Sequence, residues 1–286
     1  MIPPSELILN ADGSIYHLNL LPEDIAEKII FVGDPDRVPI VSANFDSIRV
    51  KKGKREFITH TGSYQGKEIT VISTGIGTDN IDIVLNELDA LANIDLDKRL
   101  IYSTLKSLEI VRIGTSGSIQ EDIDIDQVLV SEYAIGMDGL MNFYYFIPRT
   151  DESDIAVAFE EYLMNSDIQM AIPYCFGAHT EMLKKFSEFK KGITLTNNGF
   201  YAPQGRMLRA ELVQDGYIDF IQDFDSKYGK ITNFEMETAG IYGLSSVLGH
   251  KAISLNLILA NRSKGTFSKN YELKMNDLIS NVLNII

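Results

Sequence analysis

The chain has 286 residues, and its 40 acidic against 26 basic residues give a net charge of -14, a balance that repels nucleic acid and anionic membranes. Hydrophobic residues make up 45% and charged residues 23%, the composition of a folded protein with room for one large α/β domain or two small ones. The single cysteine, Cys175, excludes an intrachain disulfide framework and reads as a small buried apolar residue. The start Met1-Ile2-Pro3-Pro4-Ser5-Glu6 is unlike a signal peptide, and no later stretch is apolar for long enough to span a bilayer, so the expected location is the cytoplasm.

Lys28 to Val32 reads as a first strand ending in Gly33-Asp34-Pro35-Asp36-Arg37, a tight turn from which Val38 to Val41 opens a helix. Arg37 is thereby set at a strand's carboxyl end, where open α/β sheets collect ligands. Arg55 to His60 and Glu68 to Ser73 read as antiparallel neighbours, and the second runs through Thr74-Gly75-Ile76-Gly77 into a helix over 80–91, with Ile81, Val84, Leu85, Leu88 and Leu91 at helical spacing. Residues 93–107 read as a surface helix or an insertion.

Leu108 to Ile113 is apolar on both faces, the pattern of an interior strand. Arg112 is expected close to its end, followed by Gly114-Thr115-Ser116-Gly117, a stretch suited to holding an oxyanion. The plainer alternative is a strand-to-loop turn whose arginine pairs with a carboxylate. Further strands are expected at 127–131, 192–196 and 251–260, and helices near 155–164, within 177–189, and at 239–248 and 271–286. With no internal repeat or linker, the reading is one α/β domain over 1–286, a mixed central sheet between helices.

Several chemistries fit badly. His17, His60, His179 and His250 have no metal-ligand spacing, so no metal is expected. Gly114-Thr115-Ser116-Gly117-Ser118 is not a nucleophile elbow, no Gly-Lys-Ser/Thr closes a glycine stretch, and Asn80 stands where a dinucleotide fingerprint wants glycine. What remains is a set of anion and sugar handles at predicted strand ends: Gly33 and Arg37, Arg112 and Thr115, Gln204 and Arg206, Glu235 and Glu237. Taken singly, Arg37 also fits a turn, Arg206 a solvated charge, and Glu237 an acid at a helix N-terminus.

Together these motifs carry a resemblance. Gly33-Asp34-Pro35-Asp36-Arg37, Arg55-Glu56-Phe57, Ser73-Thr74-Gly75-Ile76-Gly77, Arg112 to Gly117 and Glu235-Met236-Glu237 occur in the order of the nucleoside phosphorylase family and cover nearly the whole chain. The resemblance implies a partly barrel-like sheet and a phosphate site made of Gly33, Arg37, Arg112 and Thr115, with Arg55 reaching a neighbouring subunit's site. It implies ribose contacts from Met236 and Glu237, with Glu235 beside them, and from His17 across the interface. Phe200, Gln204 and Arg206 match the uridine-type base pocket, and no carboxylate occurs at 258–261, where purine-type relatives carry an aspartate.

The implied reaction is phosphorolysis of uridine to uracil and ribose 1-phosphate, with inorganic phosphate as co-substrate and no cofactor. The catalytic set would be Arg112, Gln204, Arg206 and Glu237. The alternatives are a purine-type phosphorylase, a nucleosidase of the same fold that uses water, and a non-catalytic nucleoside-binding protein. A homodimer is implied as the minimum active unit, commonly assembled into hexamers. The chain departs from the family pattern at Lys54, where a histidine is usual, and in the length of 93–107. It departs again at Asn80, which replaces a serine that helps Glu56 and Ile76 ligate an interfacial potassium ion.

Overall fold

In the computed structural model, which describes residues 1–166 and 172–286, the first half of the chain builds a sheet by short steps. Strand β1 (Lys28–Val32) leads to α1 (Arg37–Ser42), then β2 (Ser47–Lys54), β3 (Phe57–Tyr64), β4 (Lys67–Ser73) and α2 (Thr78–Asn93). The short strands β5 (Ile94–Asp95) and β6 (Leu100–Ile101) precede β7 (Glu109–Ser118), β8 (Val128–Gly136) and α3 (Thr150–Leu163). Then come β9 (Tyr174–Gly177), α4 (Thr180–Lys185), β10 (Lys190–Thr196), α5 (Tyr217–Asp223), β11 (Asp225–Ser226) and β12 (Gly229–Glu235). The chain closes with α6 (Thr238–Leu248), β13 (Lys251–Asn261), β14 (Thr266–Phe267) and α7 (Tyr271–Ile285).

One twelve-stranded mixed sheet results, and part of it closes on itself. Strands β7, β13, β8, β10 and β12 pair in turn, and β12 returns antiparallel to β7, making a five-stranded ring. From β7 the sheet continues outward through β1, β4, β3 and β2. The same edge of β7 serves both parts: β1 pairs with Glu109 to Ile113, and β12 with Gly117 and Ser118. Between them, Gly114 to Ser116 is free on that edge, and a crevice opens where the sheet divides, the place where α/β sheets take ligands.

Helices cover the apolar faces. The expected stripe of α2 is buried, and the small residues of α6 allow close approach: a Cβ on Gly240 would lie 2.8 Å from Thr78 Cγ2, and one on Gly243 2.7 Å from Met141 Sδ. A second apolar cluster packs α3 and α5 against β10 and β12 and includes Cys175, whose thiol pKa burial pushes up, as suits an inert core residue. The fold is thus the expected single mixed α/β domain with a partly closed barrel.

Three local expectations are corrected. Arg112 is not near a strand end, and Gly114 to Gly117 is not a turn: β7 runs on to Ser118 because β13 pairs with it from Glu109 to Ser118. Residues 93–107 hold the β5–β6 hairpin rather than a surface helix. Arg55 does not begin a strand but turns between β2 and β3 at φ 57°. Strand β2 itself went unrecognised because its polar edge, with Arg49, Lys51, Lys52 and Lys54, has little apolar signal.

Candidate active site

The carboxyl end of β1 passes into Gly33, that of β4 through Thr74 into Gly75, and that of β12 into Met236, and Gly33, Gly75 and Met236 border one cavity of about 810 Å³, a volume suited to a small-molecule ligand. Gly33, Arg37, Arg112, Thr115, Phe200, Gln204, Arg206, Glu235, Met236 and Glu237 all line it. Arg55 and His17 do not. Arg55 is exposed, and His17 bonds through Nδ1 to Glu87 Oε1 at 2.6 Å. Their chain neighbours touch, since Lys54 Nζ lies 4.2 Å from the centre of the Tyr16 ring, so the two segments lie side by side.

Arg112 is the most enclosed arginine, 5% exposed. Its Nη2 reaches Glu237 Oε2 at 2.5 Å and Glu235 Oε2 at 3.4 Å, and its Nη1 donates to Asn256 Oδ1 at 2.8 Å. Burial opposes its charge, but Glu237 and Glu235 outweigh that and raise its pKa above the usual guanidinium value. Gly114 is glycine because the guanidinium folds back along its own strand: a Cβ there would meet Arg112 Nη1 at 1.9 Å. The carboxylate pairing foreseen as the plainer alternative is therefore present, and it lies inside the cavity's lining.

The two glutamates are not equivalent. Glu235 Oε2 accepts from the N–H groups of Glu237 and Thr238 at 2.9 Å each, and Oε1 accepts from Thr196 at 2.5 Å, so this carboxylate caps α6 and steadies Arg112. Glu237 accepts from the Gly77 N–H at 2.8 Å through Oε1. Burial and then Glu235 push its pKa up, against the pull of Arg112. The turn at 75–77 requires glycine, with φ 70° at Gly75 and 96° at Gly77, and that turn presents the N–H that holds Glu237.

Arg37, 7% exposed, has no carboxylate within 4 Å among the described residues. It donates to the Ile113 carbonyl at 3.3 Å and to the Tyr271 hydroxyl at 2.7 Å, contacts that aim a full positive charge at the crevice without neutralising it. At the other end, Arg206 stacks 3.9 Å from the Phe200 ring centre and donates through Nη1 to Phe200 O and Gln204 Oε1, both at 2.7 Å. Burial, then the neighbouring Arg262, push its pKa down to about 10. Buried Gln204 keeps a second lone pair and its amide N–H groups for a ligand.

This geometry has counterparts. Residues 27–285 match the family described as the phosphorylase superfamily. The chain belongs to that superfamily. It is 29% identical over 261 residues to the uridine phosphorylase of Thermococcus kodakarensis, covering 90% of this chain and 81% of that one. It is 26% identical over 240 residues to the DeoD-type purine nucleoside phosphorylase of Colwellia psychrerythraea, covering 84% of each. A solved Trypanosoma brucei nucleoside phosphorylase, described as showing uridine phosphorylase activity, superposes with a TM-score of 0.88 at 29% identity over 98% of this chain and 99% of that one.

Two residues that hold the cavity's lining were not singled out in the sequence. Arg262 donates to the carbonyls of Gln204 at 3.1 Å and Gly205 at 3.4 Å, holding the loop that carries Phe200, Gln204 and Arg206. Its position just after β13, a strand end like those that flagged the other arginines, was the available signal. Tyr271 reaches Arg37 from a position 234 residues away, and no local pattern announces that.

Proposed function

We propose that the protein is a uridine phosphorylase, converting uridine and inorganic phosphate reversibly to uracil and ribose 1-phosphate. The observation that carries this reading is the pairing, in one cavity, of an unneutralised buried Arg37 with a carboxylate, Glu237, locked by Arg112 and the Gly77 N–H. Phosphate is already an anionic nucleophile, so the site needs positioning and charge complementarity rather than a general base.

In this reading Gly33, Arg37, Arg112 and Thr115 bind phosphate, Met236 and Glu237 bind ribose, and Glu235 acts by positioning Glu237 and Arg112. As the glycosidic bond stretches, positive charge grows on the ribose beside the phosphate. Negative charge grows on the pyrimidine, where Arg206 and Gln204 receive it and Phe200 packs on the ring. Residues 258–261, Ile-Leu-Ala-Asn, offer no carboxylate to protonate a purine. This separates the reading from a purine-type phosphorylase.

A homodimer is the unit in which Arg55 and His17 would serve a neighbour's site. Exposed Ile76 and Phe267 at the cavity mouth support this, because apolar rims mark surfaces that a partner covers. No cofactor enters the reading. Beside Glu56, where the resemblance places a monovalent cation, Asn80 Nδ2 lies 3.4 Å from the Ile76 carbonyl, so that oxygen already accepts a hydrogen bond.

Ultraviolet detection of free base from uridine, thymidine and inosine, with and without phosphate, tests the activity: phosphate-dependent uracil release with inosine untouched is expected. Release without phosphate would instead identify a nucleosidase, and binding without release a nucleoside-binding protein. For the shared site, equal mixing of inactive Arg55→Ala and Arg112→Ala chains should restore about a quarter of wild-type activity, because half the dimers carry one intact site. No recovery on mixing would remove Arg55 from the partner's site.

A further inference from the structure

Each strand of the closed ring sends a buried polar side chain into its interior, and together they form a circuit. Arg112 Nη1 of β7 meets Asn256 Oδ1 of β13 at 2.8 Å, and Asn256 Nδ2 meets Ser131 Oγ of β8 at 3.1 Å. Ser131 Oγ lies 2.6 Å from Thr194 Oγ1 of β10, which lies 3.0 Å from Asn233 Oδ1 of β12. Asn233 Nδ2 returns to β7, at 3.0 Å from Ser116 Oγ. All six residues are at most 8% exposed.

The chemistry of the first member gives the circuit a direction. A guanidinium only donates, so Asn256 turns its oxygen to Arg112 and its N–H to Ser131. Ser131 then accepts from Asn256 and donates its O–H to Thr194, and Thr194 donates its own to Asn233 Oδ1. Thr232 Oγ1 lies 2.8 Å from the same oxygen and 2.9 Å from the Ile193 carbonyl, and its one proton is shared between these two acceptors. Asn233 therefore offers N–H to Ser116, whose oxygen accepts. The Ser116 proton is the one left over, with no acceptor among the described residues, and Ser116 lines the cavity.

We infer that this one-way circuit makes Ser116 a hydrogen-bond donor to an acceptor oxygen of the bound nucleoside, with Asn256, Ser131, Thr194 and Asn233 as positioning residues. The inference rests on the phosphorolysis reading. Ser116 lies between Thr115, on the phosphate side, and Gly117, where a Cβ would be 3.9 Å from Arg206 Nη2, so the acceptor it faces belongs to the nucleoside near the bond that breaks. Bonds aligned in one direction polarise one another, which strengthens the last donor.

A double-mutant cycle on the full-length protein tests this, with phosphate-dependent uracil release by the wild type as baseline. Failure of that baseline counts against the phosphorolysis reading and not against the circuit. Ser116→Ala should lower kcat/KM for uridine about tenfold, the scale of one good hydrogen bond, with KM for phosphate unchanged. Asn233→Asp places oxygen on both sides, so Ser116 must turn its proton inward. Its kcat/KM should fall as far as that of Ser116→Ala, and the double variant should be no worse than either. A Ser116→Ala value within twofold of wild type, or losses that multiply in the double variant, would overturn the inference. If thermal melting shows Asn233→Asp unfolded, Thr194→Val takes its place in the cycle, with a smaller loss and the same non-additivity required.

Discussion

The two arginines that face the cavity from its opposite ends, Arg112 and Arg206, are held by opposite means. Arg112 is buried against two carboxylates, on a strand paired along its whole length, and its desolvation is balanced before any ligand arrives. Arg206 sits in a loop, stacked on the half-exposed ring of Phe200, near Arg262 and without an acidic partner among the described residues. Its charge is held against burial and gains most from an anion that forms during the reaction. On the proposed reading the Arg112–Glu237 pair is thus settled before any substrate arrives, while the charge of Arg206 is completed by its substrate. An invariant sugar needs a fixed grip, and a leaving base whose charge appears only in the transition state rewards a donor that is not already neutralised.

That contrast sets the order of expected effects. Glu237→Ala leaves Arg112 with one carboxylate at 3.4 Å, so urea unfolding should show a loss of about 3 to 5 kcal/mol, and uracil release should fall by more than about a thousandfold. Wild-type unfolding in this variant would show that the buried pair is not the anchor of that end. Arg206→Ala should cost about 2 to 4 kcal/mol in kcat/KM for uridine and leave the unfolding midpoint in place, since no ion pair is broken. A variant that melts early but turns over normally would invert the comparison.

Smaller changes sharpen it. Arg262→Ala frees the carbonyls of Gln204 and Gly205, and KM for uridine should rise by about 1 kcal/mol equivalent while KM for phosphate holds. If instead both constants move together, the loop is not confined to the base end. Tyr271→Phe removes one hydrogen bond from Arg37, for an expected increase in phosphate KM of about threefold to tenfold at constant uridine KM. Initial rates over a phosphate series decide it, and no change would make the phenol a bystander.

Legibility followed the length scale of each interaction. The stripe of Ile81, Val84, Leu85, Leu88 and Leu91 was readable because helix period and burial coincide in one short segment. Gly33, Arg37 and Glu237 were readable because they sit just past the ends of apolar runs, next to turns. The stretch after Arg112 misled for the same reason: glycines signal a turn locally, yet here they are strand positions, and Gly114 is emptied of Cβ to admit a guanidinium. Strand β2 lacked any apolar run, and Tyr271 meets Arg37 only because α7 packs back across the sheet.

By itself, then, the amino-acid order determined the α/β class, most helices and strands, the family likeness and ten residues that line the cavity, because these depend on side-chain type and on spacing over one element. Only the tertiary structure decided that β7 changes partner from β1 to β12 and so opens the crevice. It alone separated Glu235, which caps a helix, from Glu237, which faces the site, and it alone closed the polar circuit from Arg112 to Ser116. Each of those outcomes joins residues from several strands, and the direction of a hydrogen bond depends on every partner beyond it, which no local pattern encodes.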